Sequence, residues 1–138
     1  MNIFRFIRPK SSVEYIYDTS TVCQALEKMR YHHYVAMPVI NQEGVYVGTV
    51  RNEDIFDYFA SKNFNPRLAE SDSITKILDK NYLKPLLYSA GIDELFETVT
   101  EHNFAPVVDD RSCFIGLVLR RDVLDFLLKY YKKGEGGE

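Results

Sequence analysis

The chain says nearly the same thing twice. Displaced by 68 positions (106 − 38), residues 38–59 lie on residues 106–127 without a gap. Of these 22 positions six are identical: Pro38/Pro106, Val39/Val107, Gly48/Gly116, Val50/Val118, Asp54/Asp122 and Asp57/Asp125. Seven more exchange like for like, among them Tyr46/Phe114, Ile55/Val123 and Tyr58/Phe126. A duplicated unit constrains architecture before any other signal is read, because each copy is too small to bury its apolar face alone. Any site should therefore occur twice or lie between the copies. At 138 residues the chain suits one compact body, or two half-domains sharing a core, with no need of disulfide or metal.

Each copy reads as β-α-β-β-α. In the first, a β-prone run at 13–17 ends at Asp18-Thr19-Ser20-Thr21, whose side chains suit the open amides of a helix's first turn. Val22, Ala25, Leu26 and Met29 follow at helical spacing. Strands at 35–40 and 45–50 flank the turn residues Asn41-Gln42-Glu43-Gly44, and a helix over 52–61 buries Ile55, Phe56 and Phe59. In the second copy the strands fall at 83–88, 104–108 and 113–119. A helix carries Ile92, Leu95, Phe96 and Val99, and the closing helix spans 121–131. The expected divisions are 1–61 for the first repeat with its N-terminal segment, 62–73 for a linker, 74–131 for the second repeat and 132–138 for a flexible tail. The fold class is α+β: two half-domains packed sheet to sheet about a pseudo-two-fold axis.

Composition narrows function mainly by exclusion. The net charge of −3, with acids and bases interspersed, leaves no basic stripe for a nucleic-acid polymer. No run reaches the roughly 18 apolar residues of a membrane span, and the opening MNIFRFIRPK is too charged for a signal-peptide core. A cytoplasmic chain, with no membrane partner, is expected. Cys23 and Cys113 lie in no CxxC pair and read as buried, reduced thiols. His32, His33 and His102 fall short of a metal-ligand pattern, so no metal and no obligatory cofactor are expected. A Gly-rich phosphate loop, a nucleophile elbow and a Cys/His pairing are all missing, which argues against an enzyme.

Taken together, the repeated elements resemble the CBS domain, a family named for cystathionine β-synthase that usually occurs as tandem pairs called Bateman modules. Its pattern is an Asp-Thr helix entry, an apolar-Pro-Val strand, a hairpin, then Gly-apolar-apolar-Thr/Ser-x-x-Asp-apolar opening a helix. Here those elements are Asp18-Thr19, Met37-Pro38-Val39 and Gly48-Thr49-Val50-Arg51-Asn52-Glu53-Asp54-Ile55. In the second copy they are Ala105-Pro106-Val107 and Gly116-Leu117-Val118-Leu119-Arg120-Arg121-Asp122-Val123.

The resemblance implies a regulatory ligand-binding module whose inter-repeat cleft takes an adenosine-containing small molecule: AMP, ADP, ATP or cyclic di-AMP. It implies that Asp54 and Asp122 accept from the ribose hydroxyls, and that Met37 and Ala105, with Pro106 beside it, lie against the base. A carboxylate accepting two vicinal hydroxyls discriminates a ribose through charge-assisted bonds. The chain departs from the family where Thr or Ser should stand, with Arg51 in one copy and Leu119 in the other. Arg51, Arg120 and Arg121 are accordingly the candidate phosphate readers. Glu53, at the position of Arg121, should repel a phosphate, so the Asp122 site is expected to be the better one. The competing reading is a structural or protein-interaction pair that has lost nucleotide binding. A homodimer is expected through the helices after the two motif aspartates, which are apolar over more than one face. A regulated effector protein would be the further partner.

Overall fold

The computed structural model describes residues 2–136. By its chain contacts it divides into two compact units. One contains Glu14–Lys84 with Arg111–Cys113, and carries the first repeat. The other contains the leading segment through Val13, Pro85–Asp110 and the chain from Phe114, and carries the second repeat.

The leading segment forms β1 (Arg8–Pro9). In the first-repeat unit follow β2 (Ile16–Tyr17), α1 (Val22–His32), β3 (Ala36–Ile40), β4 (Tyr46–Arg51), α2 (Asn52–Ser61) and α3 (Pro66–Ser71). The sheet runs β2-β3-β4, with β2 parallel to β3 and β3 antiparallel to β4. Of the run Asp18-Thr19-Ser20-Thr21 it is Thr21 that caps α1: its hydroxyl accepts from the Gln24 amide while the Gln24 side chain accepts from the Thr21 amide. The chain leaves α1 through His33 in the left-handed conformation (φ 59°).

The second-repeat unit holds β5 (Leu86–Leu87), α4 (Ile92–Glu101), β6 (Phe104–Val108), β7 (Phe114–Leu119) and α5 (Arg120–Gly136). Its sheet order is β1-β7-β6-β5, so the second copy repeats the first and adds β1 at its edge. The duplication extends to irregularities. The register shifts between Val39 and Ile40 in one copy and between Val107 and Val108 in the other. Both strands tolerate a central proline because β2 and β5 are two residues long and pair only with the residues beyond it. Each unit buries its own cluster: Val22, Ala25, Met29, Met37, Val39, Val50 and Ile55 in one, Leu95, Val99, Ala105, Val107, Val118 and Val123 in the other.

Several expectations are corrected. The leading segment, expected with the first repeat, packs in the unit that carries the second. Ile3 and Phe6 enter that unit's core, and β1 pairs antiparallel with β7. Gly116 is what permits this. Its φ is +157°, and a Cβ there would stand 2.1 Å from the Arg8 carbonyl oxygen. The expected linker is structured: Asn65 caps α3 with Pro66 at its first position, and Ala69, like Ile74 just beyond the linker, joins the first-repeat core. Residues 74–84 also stay with that unit, Leu78 packing where Gly48 leaves room and Asp79 bridging to Thr49. On α2 the buried residues are Asp54, Ile55 and Tyr58. Phe56 is exposed, because the stripe facing the sheet takes Tyr58 in its place. Helix α5 continues to Gly136 through Lys132 and Lys133, good helix formers that suit a helix C-terminus. The remainder of the expected tail, 137–138, lies outside the described residues. Both cysteines are half-buried and in no disulfide: the Cys23 thiol faces Glu27, and the Cys113 thiol faces the Glu43 carbonyl.

Candidate functional site

Both motif aspartates sit where a strand turns into a helix, and both are gripped by an arginine. In the first repeat Arg51 ends β4 and Asp54 lies in the first turn of α2, with only 8% of its side chain exposed. The Asp54 carboxylate accepts from the Arg51 amide (2.9 Å), from Arg51 Nε (3.0 Å) and from Arg51 Nη2 (2.6 Å). The remaining Nη1 donates to Glu53 at 2.8 Å. The guanidinium lies over the Tyr82 ring, its carbon 4.0 Å from the ring centroid. Arg51 is thus spoken for on its fork, its third nitrogen and its face. Glu53, expected to repel a phosphate, is instead drawn onto Arg51.

In the second repeat Asp122 occupies the corresponding first turn of α5, but its arginine comes from 114 residues away. Arg8 on β1 donates through Nε to Oδ2 (2.7 Å) and through Nη2 to Oδ1 (3.0 Å). The pair is open to solvent, with 44% of the Arg8 side chain and 25% of Asp122 exposed. Hydrogen bonding from Arg8 holds the Asp122 carboxyl below its ordinary range against the opposing effect of burial, and the Arg121 charge adds to this. A carboxylate has about four acceptor positions. Asp54 has spent three in a closed setting, whereas Asp122 has spent two in an open one.

The other expected residues separate clearly. Arg121 is exposed beside Asp122. Arg120 is committed elsewhere: its Nε donates to the Val99 carbonyl at 2.7 Å, one of the otherwise unpaired carbonyls ending α4. Met37 and Ala105 are fully buried in their own units' cores, and Pro106 is buried as well. Strands β3 and β6 are buried along nearly their whole length, so these three offer no surface to a ligand in this conformation. Arg8 and Tyr82 were not among the expected residues; neither lies in the repeated segment, and only tertiary structure brings them to the motifs. Among the described residues no group of three or more His, Cys, Asp or Glu is placed to hold a metal ion. No described helix is long and apolar enough to cross a membrane.

The CBS domain profile matches residues 6–61 and 83–129. An uncharacterized Methanocaldococcus jannaschii protein, MJ1225, is 30% identical over 135 residues, covering 87% of this chain and 47% of the relative. The chain thus spans about half the length of that curated relative. The crystal structure of MJ1225, proposed as an archaeal homologue of γ-AMPK, superposes with a TM-score of 0.81 at 26% identity, covering 94% of this chain and 51% of that one. CbpB in complex with c-di-AMP superposes with a TM-score of 0.90 at 19% identity, covering 100% of this chain and 91% of that one. The Listeria monocytogenes CbpB complex with c-di-AMP gives 0.83 at 19% identity, covering 91% and 94%. The chain belongs to the CBS domain family, as a tandem pair of repeats.

Proposed function

We propose that this CBS pair is a non-catalytic regulatory module that binds an adenosine-containing ligand, an adenine nucleotide or cyclic di-AMP, at the second-repeat motif. The observation that carries the reading is the setting of Asp122. It is an ionised, partly exposed carboxylate at a strand–helix junction, with the exposed cation Arg121 next to it. A ribose hydroxyl and a phosphate would find complementary partners there. The CbpB complexes support the ligand class, since a chain of this fold accommodates an adenylate. Ligand occupancy would be passed to a regulated effector protein in the cytoplasm.

Thermal unfolding against a panel of AMP, ADP, ATP, cyclic di-AMP, S-adenosylmethionine and adenosine tests the reading. A ligand at about 100 times its Kd adds roughly 2.7 kcal/mol, a shift of several degrees. A phosphorylated adenylate should give the largest shift, and Asp122→Asn should reduce it more than Asp54→Asn. No shift with any member at millimolar concentration would overturn the proposal. It would favour the second reading, a pair that serves only protein interaction. That reading has its own support: each motif aspartate already has an internal cation as partner.

We also propose that the chain self-associates through α5. Leu124, Leu128, Tyr130 and Tyr131 are 51–72% exposed on this helix, more apolar surface than solvated helix faces usually present. Phe126, by contrast, is partly covered from within its own unit: Phe6 packs edge-on against it at 5.3 Å and the Arg5 guanidinium lies 4.5 Å from its ring centroid.

A further inference from the structure

We infer that Arg8 is a ligand-reading residue of the second-repeat site, exchanging Asp122 for the phosphate of a bound adenine mononucleotide. The inference rests on the reading of Asp122 as the ribose acceptor. Arg8 approaches that carboxylate with Nε and Nη2 on its two oxygens at 2.7 and 3.0 Å. A fork of this kind occupies the same pair of oxygens that two vicinal hydroxyls would take. The diol of a ribose and the guanidinium of Arg8 therefore compete for one carboxylate. A ligand bringing only the diol would leave Arg8 without its anion; one that also carries a phosphate supplies a replacement.

The setting suits such an exchange. Nearly half of the Arg8 side chain is exposed, so the guanidinium can turn without leaving water. Its backbone is held independently of the ion pair. Arg8 is paired with Leu117 and Pro9 with Gly116, and Phe6 two residues earlier is anchored in the core. Arg121, also exposed, adds a second positive charge close to the same carboxylate. Arg51 could not play this part at Asp54, because its third nitrogen is on Glu53, its face is on Tyr82 and the carboxylate is closed to solvent. The exchange also carries specificity. A cyclic dinucleotide linked through both ribose ends offers one free hydroxyl per ribose, and so cannot replace both arms of the fork.

The test is calorimetry of AMP and adenosine binding to the whole chain and to its Arg8→Gln, Arg8→Lys and Asp122→Asn variants. Arg8→Gln should weaken AMP at least about tenfold while tightening adenosine, whose diol no longer has a competitor. Arg8→Lys keeps the charge without the fork. It should preserve most of the preference for AMP, and it guards against a loss of binding through misfolding, which thermal unfolding of each variant reports. Parallel changes of AMP and adenosine in Arg8→Gln, in either direction, would overturn the exchange. If Arg8→Gln changes neither ligand while Asp122→Asn weakens both, the role of Arg8 falls and the Asp122 site stands. If Asp122→Asn also changes neither, or the unmodified chain binds no AMP at millimolar concentration, the site reading falls with it.

Discussion

Replacing Arg51 with alanine should cost the first-repeat unit about 2–3 kcal/mol. Truncating one partner of a buried ion pair costs about 3–5 kcal/mol, because the other charge is left without compensation. Asp54 meets that condition, with 8% of its side chain exposed. Two features lower the figure. The carboxylate keeps the Arg51 amide as a donor at 2.9 Å, and the guanidinium is itself 21% exposed. Loss of the Tyr82 contact adds about 0.5–1 kcal/mol. At roughly 4 °C per kcal/mol for a domain of this size, Tm should fall by about 8–12 °C. Threonine at the same position separates pair from cap. Its hydroxyl can accept from the Asp54 amide in the first turn of α2, worth about 1 kcal/mol, so Arg51→Thr should cost only about 1–2 kcal/mol. It would also restore the family's hydroxyl and leave Asp54 open, and calorimetry should then detect a second adenylate per chain. Urea unfolding of Arg51→Ala, Asp54→Asn and the double variant measures the coupling directly. A cost below about 0.5 kcal/mol for Arg51→Ala, or additive single effects, would refute the claim that the pair is structural.

Gly116→Ala should destabilise far more than Gly48→Ala in urea unfolding. The former places a Cβ 2.1 Å from the Arg8 carbonyl at positive φ, whereas the latter meets only the movable Leu78 side chain at 3.0 Å. The Arg8–Asp122 pair should contribute stability at neutral pH and lose it in acid. The folded carboxyl titrates below its ordinary 3.8, so the difference between the native chain and Arg8→Gln should be constant down to about pH 5 and vanish as pH falls through the folded value. In alkali Tyr46 and Tyr58, both pushed up to about 12, should ionise after the ordinary tyrosines; Tyr58→Phe should remove one late step from an absorbance titration. Light scattering at micromolar concentration should give about twice 16.1 kDa, and Leu124→Glu with Leu128→Glu should return it to one chain's mass; an unmodified chain already at that mass would defeat the self-association proposal.

What was legible in the sequence divides along the distance between the residues involved. Thr21 with Gln24 and the strand at 104–108 are local patterns, and the structure follows them. Asn65-Pro66 is also local, but such a pair suits the linker expected over 62–73 as well as the helix entry it forms. Phe56 and Tyr58 point to nearly opposite sides of α2, so one stripe cannot hold both, and the position of the sheet decides which is buried. β1 lay beyond local reading altogether: two residues carry no periodicity, and their partner strand follows more than 100 positions later. The same distinction runs through the two motifs. The repeat shows that Asp54 and Asp122 correspond, but not that each needs a cation. In the first copy that cation stands three residues before the carboxylate, where the family has a hydroxyl, and it closes the site. In the second copy Leu119 fills that place and cannot pair, so Asp122 is left to a side chain on a separate, partly exposed strand. An arginine fixed by its own helix start is part of the scaffold, whereas one brought by an exposed edge strand is, on the proposal above, the one a ligand would displace. The substitution that breaks the family pattern in each copy is thus also what makes the two motifs differ in structure.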